Sequence, residues 1–370
     1  MITRPPRPWR YLAAGLGVAI LLGSARPAGQ EPGSKAPTAV ALLERESSLA
    51  ALLESEVTWL KSTQLPEGAI AQTPGHQLVI PYFANFAAGV LLTYAPGRVR
   101  DYLVWYLSNL NLPDRWGLYG TIYDFKMTAQ GLVPTMDYDS ADAYAATFLS
   151  LVSRYVAVTG DEEFAREHLP ALGKVASVIT ELQDGDGLVW AKPRHRVKYL
   201  MDNAENYRGL RDWQGLLQRL GLPEAAEQAG IYAERVRQGL EQRLYDAASG
   251  QYFWSDGWLG RRRLRPGRWY PDHVGQLYPL LNGMVDPADP RARLAYDRLA
   301  RAFPRWQEGE LPDAFPWAMV AYAAALVGQH QDAHTFLTTV AARFARDGRP
   351  YPWYILESAY TIRTIKLLGP

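Results

Sequence analysis

The chain has 370 residues, 48% of them hydrophobic and 12% aromatic, with a formal net charge of +1 and no cysteine. That length and apolar content suffice to bury a large core and exclude disorder for most of the chain. The near-zero charge gives no polyelectrolyte signature, so no nucleic-acid partner is expected, and the missing cysteines exclude disulfides, thiol nucleophiles, Cys-ligated zinc and a lipoprotein anchor.

Arg4, Arg7 and Arg10 precede an apolar run from Tyr11 to Leu22, and the small residues Gly23, Ser24, Ala25 and Ala28 follow it. This is the three-part form of a secretory signal peptide, taken as residues 1–25. The run is shorter than the about 20 residues of a membrane span, so the expectation is export and cleavage, no membrane span afterwards, and a secreted or periplasmic location. Residues 26–38, rich in Pro, Gly and Ser, read as a flexible linker, and residues 39–370 as a single domain.

From Val40 the apolar spacing predicts helices over Val40 to Ser62, Tyr82 to Tyr94, Val99 to Leu110, Ser140 to Thr159, Glu162 to Gln183 and Asn203 to Leu220. The pattern continues over Glu224 to Tyr245, Asp272 to Gly283, Arg291 to Phe303, Ala314 to Val327, Gln331 to Arg346 and Trp353 to Leu368. No stretch has the sustained two-residue alternation of a sheet. Links alternate between short ones punctuated by Gly and Pro and long ones, the long ones falling before every second helix.

Helices after the long links are apolar all round, as in Asp142-Ala-Tyr-Ala-Ala-Thr-Phe-Leu and in Pro316-Trp317-Ala-Met-Val-Ala-Tyr, and such helices are buried. Those after the short links carry a polar face and read as an outer layer. Six hairpins of one outer and one inner helix close into an all-α, double-layered (α/α)6 barrel. All long links then lie on one rim, at the N-termini of the inner helices, which is where a site is expected.

The acids opening those inner helices are Asp139 and Asp142, Asp202 and Glu205, Asp272 and Asp313, with Glu357 one turn into the last. Each has an ordinary explanation as a helix cap, and Asp202 with Glu205 fits a capping box. Together they also form a ring of carboxylates, joined from the longest loop by Asp124. The same links carry Trp116, Tyr119, Tyr123, Trp190, Tyr199, Trp254, Trp258, Trp269, Tyr270, Trp306, Trp353 and Tyr354. Two positioned carboxylates are the equipment for cleaving a glycosidic bond, and aromatic rings pack against the C–H faces of sugars. A polysaccharide or oligosaccharide is therefore the expected partner. Trp190, Tyr199, Trp269, Tyr270, Trp317, Trp353, Asp124, Asp142, Asp202, Glu205 and Glu357 are the expected substrate contacts. No cofactor and no metal are expected, and a monomer is.

From about Val40 to Leu368 the chain resembles the six-hairpin glycosidases, and more distantly the family-8 type of inverting endoglucanases. In that family a glutamate before the first inner helix is the general acid, an Asp-x-Asp or similar element opening the second binds and distorts the sugar, and an aspartate opening the fourth activates water. The resemblance implies Glu67 in Leu65-Pro66-Glu67-Gly68-Ala69-Ile70 as acid, Asp139 with Asp142 as the distorting element, and Asp272 in Trp269-Tyr270-Pro271-Asp272-His273 as base. The Glu-Gly-Gln-Ser-Tyr-Gly signature around the family's acid is absent.

Other signals point elsewhere. Asp184-Gly185-Asp186-Gly187 has the start of a calcium loop without its closing glutamate and reads as a plain turn. His330 and His334 read as surface residues. Arg261, Arg262, Arg263, Arg265 and Arg268 crowd one long link and suit an anionic polymer. With Tyr270 and His273 beside them, a polysaccharide lyase acting on a uronate polymer is the alternative, followed by a sugar epimerase and by an inactive carbohydrate-binding protein.

Overall fold

The computed structural model describes residues 39–75 and 78–369. The signal peptide and linker expected over residues 1–38 lie outside the described residues. By its contacts the chain divides into Met1–Arg45 and Glu46–Pro370. Of the first unit only the opening of the helix Ala39–Ser62 is described; the rest of that helix and every later element belong to the second.

The six inner helices are Pro81–Leu91, Ala141–Thr159, Leu200–Arg219, the paired short segments Trp269–His273 and Tyr278–Leu281, Ala318–Leu326, and Ile355–Leu368. The outer layer consists of Ala39–Ser62, Pro96–Ser108, Leu169–Leu182, Pro223–Gly239, Pro290–Ala302 and His330–Val340. The first four inner helices pack in succession, the fifth packs on the sixth, and the sixth packs on the first. The fourth and fifth meet through Tyr270 and Trp317, whose rings are 4.9 Å apart. The fold is therefore the expected all-α (α/α) barrel.

Local chemistry sets the element boundaries. Proline stands at the start of Pro81–Leu91, Pro96–Ser108, Pro223–Gly239 and Pro290–Ala302, where its missing N–H costs nothing and its fixed φ suits the first turn. Gly160 ends the second inner helix in the left-handed conformation at φ 75°. Among the described residues the long links also hold short antiparallel ladders, Leu78–Val79 with Phe125–Thr128 and Gly131–Pro134, and Val197–Tyr199 with Ser255–Gly257. None exceeds four residues, too short for alternation to register in the sequence.

The second and third inner helices approach unusually closely. A Cβ on Gly209 would lie 2.6 Å from the backbone of Ala146, so only glycine fits at that crossing. This contact fixes the distance between the two helices that carry Asp142 and Asp202. The ring is closed by a buried ion pair. Arg349, in the last long link, donates to Glu56 of the first outer helix at 2.9 Å, and Ser358 of the last inner helix donates to the other oxygen of Glu56 at 2.6 Å.

Two hairpin turns that follow outer helices are built alike. In residues 64–70 the Gln64 side chain donates to the carbonyls of Gly68 and Arg98, and in residues 183–189 Gln183 donates to those of Gly187 and Tyr232. Each glycine lies flat against the backbone of the next outer helix, Gly68 at Asp101 and Gly187 at Arg235. The Asp184-Gly-Asp-Gly turn thus has a structural purpose. Its two carboxylates both accept from the Lys198 ammonium, at 2.7 and 2.8 Å, which fills the place a cation would take.

Candidate active site

The acids of the second and third inner helices are not the caps that their positions allowed. Ser140, not Asp139, is the N-cap of Ala141–Thr159, and it makes no side-chain cap bond. Leu200–Arg219 begins three residues earlier than expected, with Tyr199 as N-cap and again no side-chain cap bond, so the capping-box reading of Asp202 and Glu205 does not hold. Their carboxylates instead influence one another electrostatically.

Asp142 is fully buried and accepts from the amide of Asn206 at 2.7 Å, while its Oδ1 has no partner. Burial and then the neighbouring Asp202 drive its carboxyl well above the usual range. Asp202 is pushed up to about 7, first by desolvation and then by Asp139, against a hydrogen bond with Ser140. Glu205 accepts from the Tyr82 hydroxyl at 2.6 Å and is raised by burial and by Asp202. Asp124 accepts from Tyr144 at 2.9 Å and is pushed up to about 8, by burial and by Asp139 and Asp137. Like charges this close cannot all ionise, so the cluster holds protons near neutrality.

Asp139 differs from the rest. Its side chain reaches solvent although protein encloses it on most sides. Enclosure raises its carboxyl, but Lys192 and His195 oppose the rise. Lys192 also hydrogen-bonds the Tyr138 carbonyl at 2.7 Å and pairs with Asp137 at 3.7 Å, so its ammonium is held beside the acids. Asp137 is further occupied by Arg115 at 3.3 Å.

Aromatic rings border this group. Tyr199 stacks on Trp254 with centroids 6.3 Å apart and planes at 7°, an arrangement set by the short ladder that pairs Tyr199 with Ser255. Tyr270, half-buried, lies against Trp317. Trp317 has a left-handed backbone, φ 59°, that turns it out of the helix Ala318–Leu326. The indole N–H groups of Trp254 and Trp317 are buried without acceptors. Burial first, and then Asp202, Asp139 and Glu205, raise the Tyr270 hydroxyl, so that ring lies within electrostatic range of the acids.

Other expected site residues lie apart from the acids. Glu67 is exposed on the turn that follows the first outer helix, and among the described residues no hydrogen bond or ion pair joins it to the clustered carboxylates. Asp272 is buried, accepts from the Arg265 backbone at 2.6 Å and is ion-paired with Arg268 at 3.3 Å, so it latches the arginine-rich link to the fourth inner helix. Glu357 accepts from Ala318 N at 2.6 Å, capping the fifth inner helix from the sixth, and is pushed up to about 8 by burial. Trp353 is core, fully buried against Phe344, and therefore is not a substrate contact. Trp269 is also buried, edge-on to Phe303. Trp190 is half-buried under the Lys198 ammonium, 4.2 Å from its ring. Asn203 is used structurally, exchanging hydrogen bonds with the Val189 backbone.

Tyr82, Tyr144 and Lys192 are the site residues that sequence reasoning missed. Tyr82 was visible as the polar-tipped ring in the first turn of an otherwise apolar helix. Nothing local marked Lys192.

No family model matches the chain, and no curated protein matches it. Solved structures do. A glycosidase variant in complex with glucose superposes with a TM-score of 0.62 at 12% identity, covering 88% of this chain and 98% of that one. A GH78 family rhamnosidase of Bacillus sp. GL1 gives 0.58 at 14% identity, over 85% of this chain and 34% of that one. A rhamnosidase from Klebsiella oxytoca with rhamnose bound gives 0.59 at 12% identity, over 86% and 63%. The chain has the helical-barrel fold of these glycosidases. It spans about a third of the Bacillus enzyme, and at these identities the likeness is one of fold.

Proposed function

We propose that the protein is a glycoside hydrolase acting on an oligosaccharide or polysaccharide outside the cytoplasm, with residues 39–370 as its catalytic domain. The observation that carries this reading is the pair Asp202 and Asp139. Asp202 lies in the third inner helix and Asp139 just before the cap of the second; Asp202 is enclosed and raised to about 7, by desolvation and then by Asp139, while Asp139 is solvent-accessible beside Lys192 and His195. A carboxyl that keeps its proton near neutrality suits a general acid, and a solvent-accessible one beside the Lys192 ammonium suits a base.

In this reading Asp202 gives its proton to the glycosidic oxygen as the bond breaks, and Asp139 takes a proton from the attacking water. Asp142 and Asn206 set the position of Asp202 and supply hydroxyl ligands. Tyr199 with Trp254 and Tyr270 with Trp317 receive sugar faces. The parallel with family-8 type endoglucanases enters through Asp139 and Asp142 alone, since Glu67 and Asp272 have other surroundings. The fold likeness to glycosidases supports the reaction class, and an exported enzyme meeting an exopolysaccharide is the setting we infer from the N-terminal sequence.

A uronate-containing substrate is favoured by one further feature. Arg262 and Arg268 lie 5.4 and 5.9 Å from the Trp254 ring, beside the proposed sugar platform. If the reaction were elimination, the product would absorb in the ultraviolet, whereas hydrolysis gives reducing ends alone. Measuring both on a polysaccharide panel tests the proposal: reducing sugar without absorbance supports it, and absorbance growth, or neither signal with measurable binding, overturns it.

A further inference from the structure

Among the inner helices lies a cavity of about 420 Å³ that runs from Asn85 and Glu205 toward the helix C-termini at Thr93 and Lys366. That is the size of a small-molecule site. Its walls carry Arg154 of the second inner helix, Arg208 of the third, and Arg363 and Lys366 of the sixth, against Asp212 and Glu205. Asp212 is claimed by Arg208 at 2.7 Å. Glu205 is raised well above its ordinary value, which favours its neutral form. Among the described residues neither Arg154 nor Arg363 makes an ion pair.

The two guanidiniums converge. A Cβ built on Gly89 would lie 3.3 Å from one nitrogen of Arg154 and 4.0 Å from one of Arg363, so those nitrogens are no more than about 7 Å apart by simple addition. Arg363 is held in place by the ring faces of Phe86 and Tyr360, at 5.4 and 5.0 Å. Arg154 is pushed down to about 10, first by burial and then by Arg363 and Arg208. Complementing the helix dipole does not account for this arrangement. That effect fades within the last turn, and Arg208 lies far from the end of Leu200–Arg219. Gathering like charges in one partly buried place is unfavourable unless an anion offsets them.

We propose that this basin is a second ligand site, for a small organic anion whose phosphate or carboxylate oxygens bridge Arg154 and Arg363 while its carbon skeleton rests on Val90, Leu151 and Leu281. The planar forks of two arginines suit such oxygens. The basin meets the acid cluster at Glu205, which lines it, but its arginines set it apart in charge, and the proposal does not depend on the hydrolase reading.

Isothermal titration of the full chain with inorganic phosphate, glucose 6-phosphate, glucuronate and glucose tests it. The expected result is saturable binding of at least one of the three anions and none of glucose in the basin. Arg154→Met and Arg363→Met should each weaken anion binding at least about tenfold, and Glu67→Gln, on an exposed turn outside the basin, should leave it unchanged. A preference for the phosphates or for glucuronate distinguishes the two anion sources. Anion binding that survives both arginine substitutions overturns the proposal. If those variants do not fold, the wild-type melting temperature decides: a rise with the anions at constant ionic strength supports the site, and no change with any of them overturns it.

Discussion

Asn206 donates to Asp142 at 2.7 Å, linking the third inner helix to the second at the level of the acid cluster. Four residues before Asn206 on the same helix stands Asp202, and three before Asp142 stands Asp139. The hydrogen bond therefore fixes the registry of the proposed acid and base at once.

That registry makes both carboxylates sensitive to neutral replacement. Asp202→Asn and Asp139→Asn should each lower kcat by about 10²-fold or more on a hydrolysed substrate, with the melting temperature kept or raised. Glu67→Gln should leave kcat within about twofold, because that side chain is exposed on a turn away from the acids. Near-normal turnover in Asp202→Asn, or collapse in Glu67→Gln, would show the acid to be elsewhere. The wild-type rate should fall as pH rises through about 7, where Asp202 loses its proton.

Stability should move with pH in the same direction. Asp202, Asp124 and Glu357 have folded values of about 7, 8 and 8, above the ordinary 3.8 and 4.5. In the window between those limits the folded chain binds more protons than the unfolded one, so stability is fully present below it and is lost as pH rises through it. Thermal midpoints measured from pH 5 to pH 8.5 should fall, and the fall should be shallower in Asp124→Asn. A flat or rising profile would contradict the raised carboxyls of these groups.

Two glycines of one helix make a matched pair. Gly209→Ala should destabilise by about 2 kcal/mol or more and reduce activity, because its Cβ would meet Ala146 backbone at 2.6 Å and push apart the helices that carry the acids. Gly215→Ala, with nothing within 4 Å, should be neutral or stabilise by up to about 1 kcal/mol through helix propensity. Urea denaturation of both variants gives the comparison directly.

The buried pair closing the ring offers another test. Glu56→Ala leaves the Arg349 guanidinium, 6% exposed, without its carboxylate, and should cost about 3–5 kcal/mol. The double substitution Glu56→Met with Arg349→Met should recover much of that loss. If the single change is silent by calorimetry, the pair does not hold the last link to the first outer helix.

For the turn of residues 183–189, chelation should not matter. Lys198 sits between Asp184 and Asp186, so neither added calcium nor EDTA should shift melting, whereas Lys198→Ala should lower it by leaving two carboxylates to repel. A calcium-dependent rise in wild-type melting would refute this reading.

The barrel was legible in the sequence because it rests on periodicity. Apolar-all-round inner helices, polar-faced outer ones and the alternation of short and long links each leave a local mark, and burial of apolar area then selects the layered closure. Element starts were less legible. Tyr199 and Ser140 are caps without cap side-chain bonds, so residue preference pointed one position or more away, to Asp139 and Asp202.

What the sequence by itself determined is the ring, its rim, and the presence there of Asp139, Asp142, Asp202 and Glu205. Only the tertiary structure decided which acids act on one another, because carboxyl energetics depend on enclosure and on neighbours far along the chain. Tyr82 reaches Glu205 across 123 positions, Glu357 is taken up in capping another helix, and Asp272 is latched by Arg268. Those assignments come from distance and desolvation, which no local pattern records.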